Sequence, residues 1–150
     1  MRLLGIDLGD RRIGLAVGDT ATGIARGLDT VPRGTEAADL ARFGALVAEQ
    51  RIEAMVVGLP RNTDGSEGPQ AGATRAWAAA VLAKVGLPVT FRDERFTSED
   101  AERNLGRAPR GRAGGPPSAT AREKRRRSVD REAARLIVQR ELDARREARR

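Results

Sequence analysis

The fold is decided by residues 3–19, which read LLGIDLGDRRIGLAVGD. The two apolar halves of this stretch are typical of short buried strands, and Gly9-Asp10 between them is typical of a tight turn. The stretch therefore predicts a β-hairpin. Asp7 alternates with Leu3 and Gly5 along the first strand, so these three residues face the same layer of the protein. A carboxylate in a packed layer needs a partner or a cation, which makes Asp7 a candidate functional residue.

The length and composition of the chain limit the chemistry that it can perform. Its 150 residues are the usual size of one domain, so we expect a single domain over residues 1–150. The sequence contains no Cys and no His, which excludes disulfides, thiolate catalysis and a Ser-His-Asp arrangement. Any catalysis must use carboxylates, Lys, Arg, hydroxyls or metals bound through oxygen. Without an apolar membrane span or a signal peptide, the sequence predicts a soluble cytoplasmic protein with no membrane partner.

The charge of the chain indicates the kind of partner that it binds. A formal net charge of +7 and a pI near 11.3 favour nucleic acid. Nearly all the basic residues are Arg in a chain rich in Ala and Gly, so genome composition contributes to this bias. Aromatic residues make up 3% of the chain, which argues against base stacking as the main mode of binding. Recognition of duplex or branched nucleic acid by its shape fits the composition better.

The hydrophobic pattern beyond the hairpin predicts alternating strands and helices. It places strands over 23–32, 54–59 and 88–92, and helices over 35–50, over 71–85 and after Thr97 or Ser98. Residues 106–121, rich in Gly, Pro and Arg, are predicted to form a mobile loop. A closing helix is expected to start near Ser128, and residues 145–150 are expected to form a disordered tail. This order predicts an α/β fold with a mixed five-stranded sheet flanked by helices.

Further carboxylates stand at the predicted edges of this sheet. Asp93 and Glu94 lie at a strand end, where their ordinary explanation is an exposed acid paired with a neighbouring Arg. The ordinary explanation of Asp7 is a strand-end acid that accepts hydrogen bonds from a turn. Asp130 falls in the first turn of the predicted closing helix, where the helix dipole favours an acid. The dipole does not explain why Asp130 lies within the apolar arc of that helix.

A set of acids without His or Cys suits one kind of metal centre. Oxygen-only ligation favours Mg²⁺ or Mn²⁺, and two such ions can activate water and stabilise the leaving oxygen of a phosphodiester. A competing interpretation takes residues 7–12 as the phosphate loop of an actin-like ATPase. That interpretation is disfavoured because those enzymes need a second domain, for which 150 residues leave no room.

Four segments are spread in order over most of the chain: GIDLG to RIGLA at 5–16, VVGLP with Asn62 and DGS at 56–66, DERFTS at 93–98, and VDREAA at 129–134. Together they resemble the YqgF/RuvX family of pre-16S rRNA nucleases, which are similar to RuvC Holliday junction resolvases. The resemblance implies a ribonuclease-H-like fold, metal-dependent phosphodiester cleavage and a homodimer. It selects Glu94 over Asp93 and implies that Asp7, Glu94 and Asp130 are the catalytic, metal-binding residues. Arg61 and Thr63 depart from the family pattern.

These observations predict a nuclease that uses two Mg²⁺ or Mn²⁺ ions on structured nucleic acid. Its substrate is expected to be the 5' end of the 16S rRNA precursor, or branched DNA such as a Holliday junction. The alternative is a non-catalytic RNA-binding factor of ribosome assembly that keeps the fold. A fourth acidic ligand is left open between Asp10 and Glu132. The predicted nucleic-acid-binding residues are Arg12, Arg61, Asn62, Arg95, Arg122, Lys124, Arg125, Arg126 and Arg127. For the run 122–127, the ordinary explanation is solvated charge beside a flexible loop.

Overall fold

The computed structural model describes residues 1–95, 97–108 and 110–150, so Phe96 of the 93–98 segment and Pro109 of the predicted loop lie outside the described residues. The strands are β1 (Arg2–Leu8), β2 (Arg12–Asp19), β3 (Ile24–Pro32), β4 (Ala54–Leu59) and β5 (Val89–Asp93). The helices are α1 (Glu36–Gln50), α2 (Pro69–Ala80), α3 (Thr97–Leu105) and α4 (Ala119–Ala148). Short 3₁₀ turns cover Leu82–Lys84 and Arg112–Gly114.

The five strands form one mixed sheet in the order β3-β2-β1-β4-β5. Strands β1, β2 and β3 are antiparallel neighbours, whereas β4 runs parallel to β1 and β5 runs parallel to β4. The predicted hairpin is confirmed: β1 pairs with β2 so that Asp7 stands opposite Gly14. The Gly9 amide donates to the Arg12 carbonyl across the turn, at 2.8 Å. The predicted α/β class and mixed sheet are therefore confirmed.

Each face of the sheet has its own apolar core, as the alternation of strand side chains requires. Helices α1 and α2 cover one face, where Phe43 and Trp77 meet edge to face with ring centroids 5.5 Å apart. Helix α4 covers the other face through buried side chains that include Ile137 and Val138. Strand β4 is buried along its whole length because it has strands on both sides and helices on both faces. Asp7 belongs to the face that α4 covers.

Glycines allow α4 to approach the sheet closely. A Cβ atom at Gly5, Gly14 or Gly18 would overlap with atoms of α4. At Gly14 the overlapping atom is the backbone carbonyl oxygen of Asp130, which cannot move without the helix. The glycine face of the hairpin therefore leaves room for α4.

Helix α4 differs most from the sequence prediction. It begins at Ala119 instead of near Ser128, because Ser118 caps it and accepts a hydrogen bond from the Ala121 amide at 3.1 Å. The helix therefore occupies the end of the predicted 106–121 loop. It also continues to Ala148, whereas the sequence predicted a disordered tail from residue 145. Asp130 lies well inside α4, and the helix dipole no longer accounts for its position.

The other helices agree more closely with the prediction. Helix α1 is capped by Thr35, as expected, and α3 begins at Thr97. Helix α2 begins at Pro69 and ends at Ala80, whereas the prediction was 71–85; Pro at the first helical position was the missed signal. Within the described residues, no helix has the length and apolarity to cross a membrane.

Candidate metal centre and nucleic-acid interface

Two carboxyl groups meet at the edge of the sheet where β1, β4 and β5 end. Asp7 lies near the end of β1, and Glu94 directly follows β5, so β4 runs between them. The Glu94 side chain crosses β4 at Gly58, where a Cβ atom would lie 2.5 Å from the Glu94 Cδ and Oε2 atoms. The Glu94 and Asp7 carboxyl groups lie close enough for each to change the acidity of the other. Gly58 was missed as a site residue, although a glycine inside a buried strand signals close approach of another group.

Burial strongly changes the acidity of both groups. The pKa of Asp7 is raised to about 7, mostly by burial and also by the charge of Asp130, while hydrogen bonding with Glu94 opposes the change. Burial also raises the pKa of Glu94 to about 9, assisted by the charge of Asp7 and by the hydrogen bond that Glu94 donates to it. At neutral pH the pair therefore holds a proton, which a bound cation can replace.

The arginines beside Glu94 bond to other acids. Arg95 Nε lies 2.9 Å from Asp93 Oδ2, and Arg92 Nη1 lies 3.2 Å from Glu141 Oε2. The ordinary explanation of Glu94 as an exposed acid paired with a flanking Arg therefore does not apply. Of the two adjacent acids, Glu94 turns toward Asp7 and Asp93 turns toward Arg95.

Asp130 approaches the same region from α4. Its Oδ2 atom accepts a hydrogen bond from Arg12 Nε at 2.8 Å, and Arg12 Nη1 lies 3.5 Å from Glu123 Oε1. The charge of Asp130 contributes to the raised pKa of Asp7, which places the two carboxylates in the same electrostatic environment. The elements thus bring Asp7, Glu94 and Asp130 into one region of the molecule.

The donor chemistry of this region fits a hard divalent cation. Asp7 and Glu94 are half-buried carboxyl groups held close together, an arrangement in which a bound cation would stabilise the ionised form of both. Asp130 has one oxygen occupied by Arg12. Within the described part of the chain, no three Asp or Glu side chains are spaced as a complete metal site. Asp7 and Glu94 are thus the pair best placed to hold the cation.

The two candidates for a fourth ligand have different surroundings. Asp10 is exposed in the hairpin turn and lines a cavity together with Asp130. Glu132 accepts hydrogen bonds from Arg135 at 2.6 Å and from Asn104 at 3.3 Å, and Arg135 helps to hold the pKa of Glu132 below its usual range. Glu132 is therefore engaged beside α3, whereas Asp10 shares its cavity with one of the three acids.

Some of the predicted phosphate-binding residues line a cavity of about 390 Å³ beside Asp130. Its walls carry the guanidinium groups of Arg11, Arg12 and Arg126, with Gly9 and Asp10 from the hairpin turn. Arg126 lies 3.3 Å from Glu123 Oε2, so it is only partly neutralised there. The cavity is positively charged next to the acids.

The side chains of residues 122–127 have different surroundings, because successive residues of a helix point in different directions. Arg125 donates to three backbone carbonyls at the C-terminal end of α3, at 2.6–3.5 Å, and Arg122 donates to the Pro117 carbonyl at 2.9 Å. Lys124 and Arg127 line a separate groove of about 700 Å³ between α4 and β3. Sequence analysis took this run as one surface, whereas in the structure three of its arginines bond backbone carbonyls, since Arg127 donates to the Thr30 carbonyl at 3.4 Å.

The remaining predicted contacts belong to the loop that follows β4. Asn62 Nδ2 donates to Ser66 Oγ at 3.0 Å, and Arg61 Nη2 lies 3.9 Å from Glu67 Oε2. Arg95 Nη1 donates to the Thr63 carbonyl at 3.3 Å and so ties this loop to the end of β5. These side chains order a loop at the same edge of the sheet as Glu94.

Comparison with known proteins identifies the family. A family model described as "RuvX: Holliday junction resolvase" matches residues 1–144. The chain belongs to the RuvX family. A Moorella thermoacetica protein named "Putative pre-16S rRNA nuclease" is 45% identical over 143 residues, covering 95% of each chain. An Anaeromyxobacter dehalogenans protein of the same name is 46% identical over 145 residues, covering 97% of this chain and 98% of that one. The family resemblance and the predicted enzyme class, a hydrolytic nuclease, are confirmed.

The fold of this RuvX protein is shared with RuvC. A Thermus thermophilus RuvC solved in complex with a Holliday junction substrate matches it with a TM-score of 0.53 and 22% identity. The match covers 97% of this chain and 95% of the RuvC chain. The predicted ribonuclease-H-like fold is therefore confirmed.

One further residue of this RuvX protein acts on the acids and escaped sequence analysis. Arg140 of α4 donates to Thr97 Oγ1 at 2.8 Å and to Asp100 Oδ2 at 2.6 Å. Its positive charge opposes the rise in the pKa of Glu94. Arg140 thus ties the first turn of α3 to α4 beside Glu94. Nothing in its sequence context distinguishes it from the many other arginines of the chain.

Proposed function

We propose that this nuclease hydrolyses phosphodiester bonds of structured nucleic acid with Mg²⁺ or Mn²⁺, in the cytoplasm and as a homodimer. The observation that carries the proposal is the close approach of the Asp7 and Glu94 carboxyl groups across Gly58, next to a cavity lined by three arginines and two aspartates. The names of its relatives support the 16S rRNA precursor as the first candidate substrate. The Holliday junction bound by RuvC supports branched DNA as the second.

Asp7 and Glu94 would hold the cation, with Asp130 as the third acid. A bound divalent cation supplies an activated water and stabilises charge on the leaving oxygen. Asp7 and Glu94 release their shared proton when they bind it, because the cation favours both carboxylates in their ionised form. Their partial burial keeps bulk water from screening these charges.

The arginines beside the acids would bind the nucleic-acid backbone. Arg12 and Arg126 line the cavity next to Asp130, which places positive charge where a phosphate must approach the centre. Lys124 and Arg127 extend this charge along the opposite side of α4. Contacts of this kind bind phosphates without reading base sequence, as recognition by shape requires.

A second candidate function is the non-catalytic RNA-binding factor of ribosome assembly. It is favoured by one observation: within the described residues no three acids are spaced as a complete metal site. Such a factor would bind structured RNA through the same basic residues and would release no product. The two functions therefore differ in cleavage and not in binding.

The deciding experiment incubates the purified full chain with a four-way DNA junction, a linear DNA duplex and a structured 16S rRNA precursor, each with Mg²⁺, Mn²⁺ or EDTA. We expect metal-dependent product from the precursor or the junction and none in EDTA. The Asp7→Asn variant serves as the inactive control. Binding of the precursor without product in either metal would contradict the nuclease and support the assembly factor.

A further inference from the structure

Arg12 forms two contacts to acids of α4, and one of these acids belongs to the candidate metal centre. Its Nε atom lies 2.8 Å from Asp130 Oδ2, and its Nη1 atom lies 3.5 Å from Glu123 Oε1. The Arg12 and Asp130 side chains are 24% and 26% exposed, so the pair lies at the border between the protein and solvent. Arg12 therefore places positive charge against Asp130 Oδ2, an oxygen with which Asp130 would bind the metal ion as its third ligand.

Hydrogen bonds fix the backbone around Arg12, while a cavity beside its side chain offers its guanidinium group a second position. Arg12 is the first residue of β2, and its carbonyl accepts a hydrogen bond from the Gly9 amide at 2.8 Å. Arg33 holds the same turn from the other side, because its Nη1 atom donates to the Gly9 carbonyl at 3.0 Å. Arg12 lines the 390 Å³ cavity, which gives its guanidinium group open space into which a change of side-chain torsions can move it.

The cavity suits a phosphate better than it suits an uncompensated arginine. Arg11 and Arg126 line it together with Asp10 and Asp130. If Asp130 binds a cation, an Arg12 guanidinium in the cavity adds positive charge beside two other arginines unless an anion enters as well. A phosphate group accepts the planar, two-pronged hydrogen bonding of a guanidinium group. Arg12 thus has two compatible anionic partners, a carboxylate of α4 and a phosphate in the cavity.

We propose that Arg12 competes with a divalent cation for Asp130, and that the displaced Arg12 guanidinium then binds a nucleic-acid phosphate in the adjacent cavity. In this proposal Arg12 is a positioning residue for Asp130, and the position of its guanidinium group depends on whether Asp130 binds a cation. The inference rests on the proposed function, because it takes Asp130 as a metal ligand. Since the coupling between two ligands is reciprocal, the cation raises the affinity for nucleic acid and nucleic acid raises the affinity for the cation.

The first test measures Mn²⁺ affinity by calorimetry without nucleic acid, in the wild-type chain and three variants. Arg12→Ala is expected to bind Mn²⁺ about three- to tenfold more tightly, since it frees Asp130 from a partly exposed ion pair and removes a repelling charge. Arg12→Lys keeps the charge and is expected to lie between the two. Arg11→Ala is the matched control: it removes the same charge from the same cavity, and its affinity is expected to change by less than about twofold. If Arg12→Ala fails to fold, Arg12→Gln replaces it.

The second test measures binding of a four-way DNA junction with and without Ca²⁺. In the wild-type chain we expect Ca²⁺ to tighten binding, and in Arg12→Ala we expect this gain to be lost. Equal Mn²⁺ affinity in Arg12→Ala and Arg11→Ala, or an equal gain from Ca²⁺ in both, would overturn the inference. Metal-dependent cleavage by the wild-type chain in that case would still support the proposed function, whereas loss of cleavage and of Mn²⁺ binding in every variant would overturn both.

Discussion

The Glu94 side chain lies across Gly58, at a point where a Cβ atom would be 2.5 Å from the Glu94 Cδ atom. The same Cβ atom would lie 2.5 Å from Ile137 Cδ1 of α4, so the space above β4 is filled from two directions. The contact between Asp7 and Glu94 is therefore possible only because residue 58, on the strand between them, is a glycine without a side chain.

Substitution of Gly58 should break this contact. We expect Gly58→Ala to lower the free energy of unfolding by about 1–3 kcal/mol, because neither Glu94 nor Ile137 can move far inside the packed layer. It should also abolish metal-dependent cleavage, since Glu94 is pushed away from Asp7. Gly72→Ala is the control: Gly72 lies on α2 with no atom within 4 Å of its Cβ position, and Ala there should stabilise the chain by up to about 1 kcal/mol. Denaturant unfolding and a cleavage assay check both; full activity in Gly58→Ala would refute the site geometry.

Asp7→Asn tests the acid itself. Asn keeps the shape of the side chain but removes its negative charge, so a bound cation loses a ligand while the packing under α4 stays. We expect cleavage to fall below about 1% of wild type, since loss of even an outer contact of a metal site costs 10–100-fold. Binding of the 16S rRNA precursor in EDTA should change by less than about threefold, because the arginines of the cavity are untouched. Wild-type cleavage rates in this variant would exclude Asp7 from the reaction.

Sequence analysis predicted the parts of the chain in which apolar residues follow the pattern of a strand or a helix. Residues 3–19 alternate strongly enough to define the hairpin and the face on which Asp7 lies. The first turns of α4 pack beside α3 and the edge strand β3 and not on the apolar centre of the sheet, so residues 119–128 carry no apolar stripe for periodicity to detect. This part of the helix is stabilised by residues of high helix propensity and by the Ser118 cap. Glu94 could not be chosen over Asp93 from strand alternation, because both residues lie at the point where β5 ends.

The raised pKa values predict how stability depends on pH without metal. A carboxyl group whose pKa is higher in the folded than in the unfolded chain binds more protons when folded, so its stabilising contribution is full below the unfolded pKa and is lost as pH rises. For Asp7 and Glu94 this loss extends from about pH 4 through their folded pKa values of about 7 and about 9. In EDTA we therefore expect the melting temperature to fall between pH 5 and pH 9.

Two variants assign this pH dependence to the acid pair. Asp7→Asn should flatten the fall, because it removes one of the two titrating groups and the charge that acts on the other. Glu132→Gln should leave it unchanged, since the pKa of Glu132 is lowered and its stabilising contribution is lost only in acid. Saturating Mn²⁺ should also flatten the fall by favouring the ionised carboxylates. Thermal melts at a series of pH values measure all three, and a melting temperature that rises from pH 5 to pH 9 in EDTA would contradict the shared proton.

Arg125 and Arg126 are adjacent, and the structure predicts opposite consequences for their loss. Arg125 caps the C-terminal end of α3 through backbone carbonyls, whereas Arg126 lines the cavity beside Asp130. Arg126→Ala should reduce the slope of log affinity against log salt by about 1 for duplex nucleic acid and should leave stability within about 0.5 kcal/mol. Arg125→Ala should leave the slope unchanged and lower stability by about 1 kcal/mol, because hydrogen bonds to α3 are lost.

Fluorescence anisotropy at several salt concentrations and denaturant unfolding separate these two effects in the same pair of variants. The comparison is matched, because each variant removes one arginine from neighbouring positions of the same helix turn and leaves the net charge of both proteins equal. Equal losses of slope would mean that the 122–127 run acts only through its total charge, as solvated charge beside a loop would. Unequal losses would mean that α4 directs neighbouring arginines to different tasks, because each step along a helix turns the side chain by about 100°.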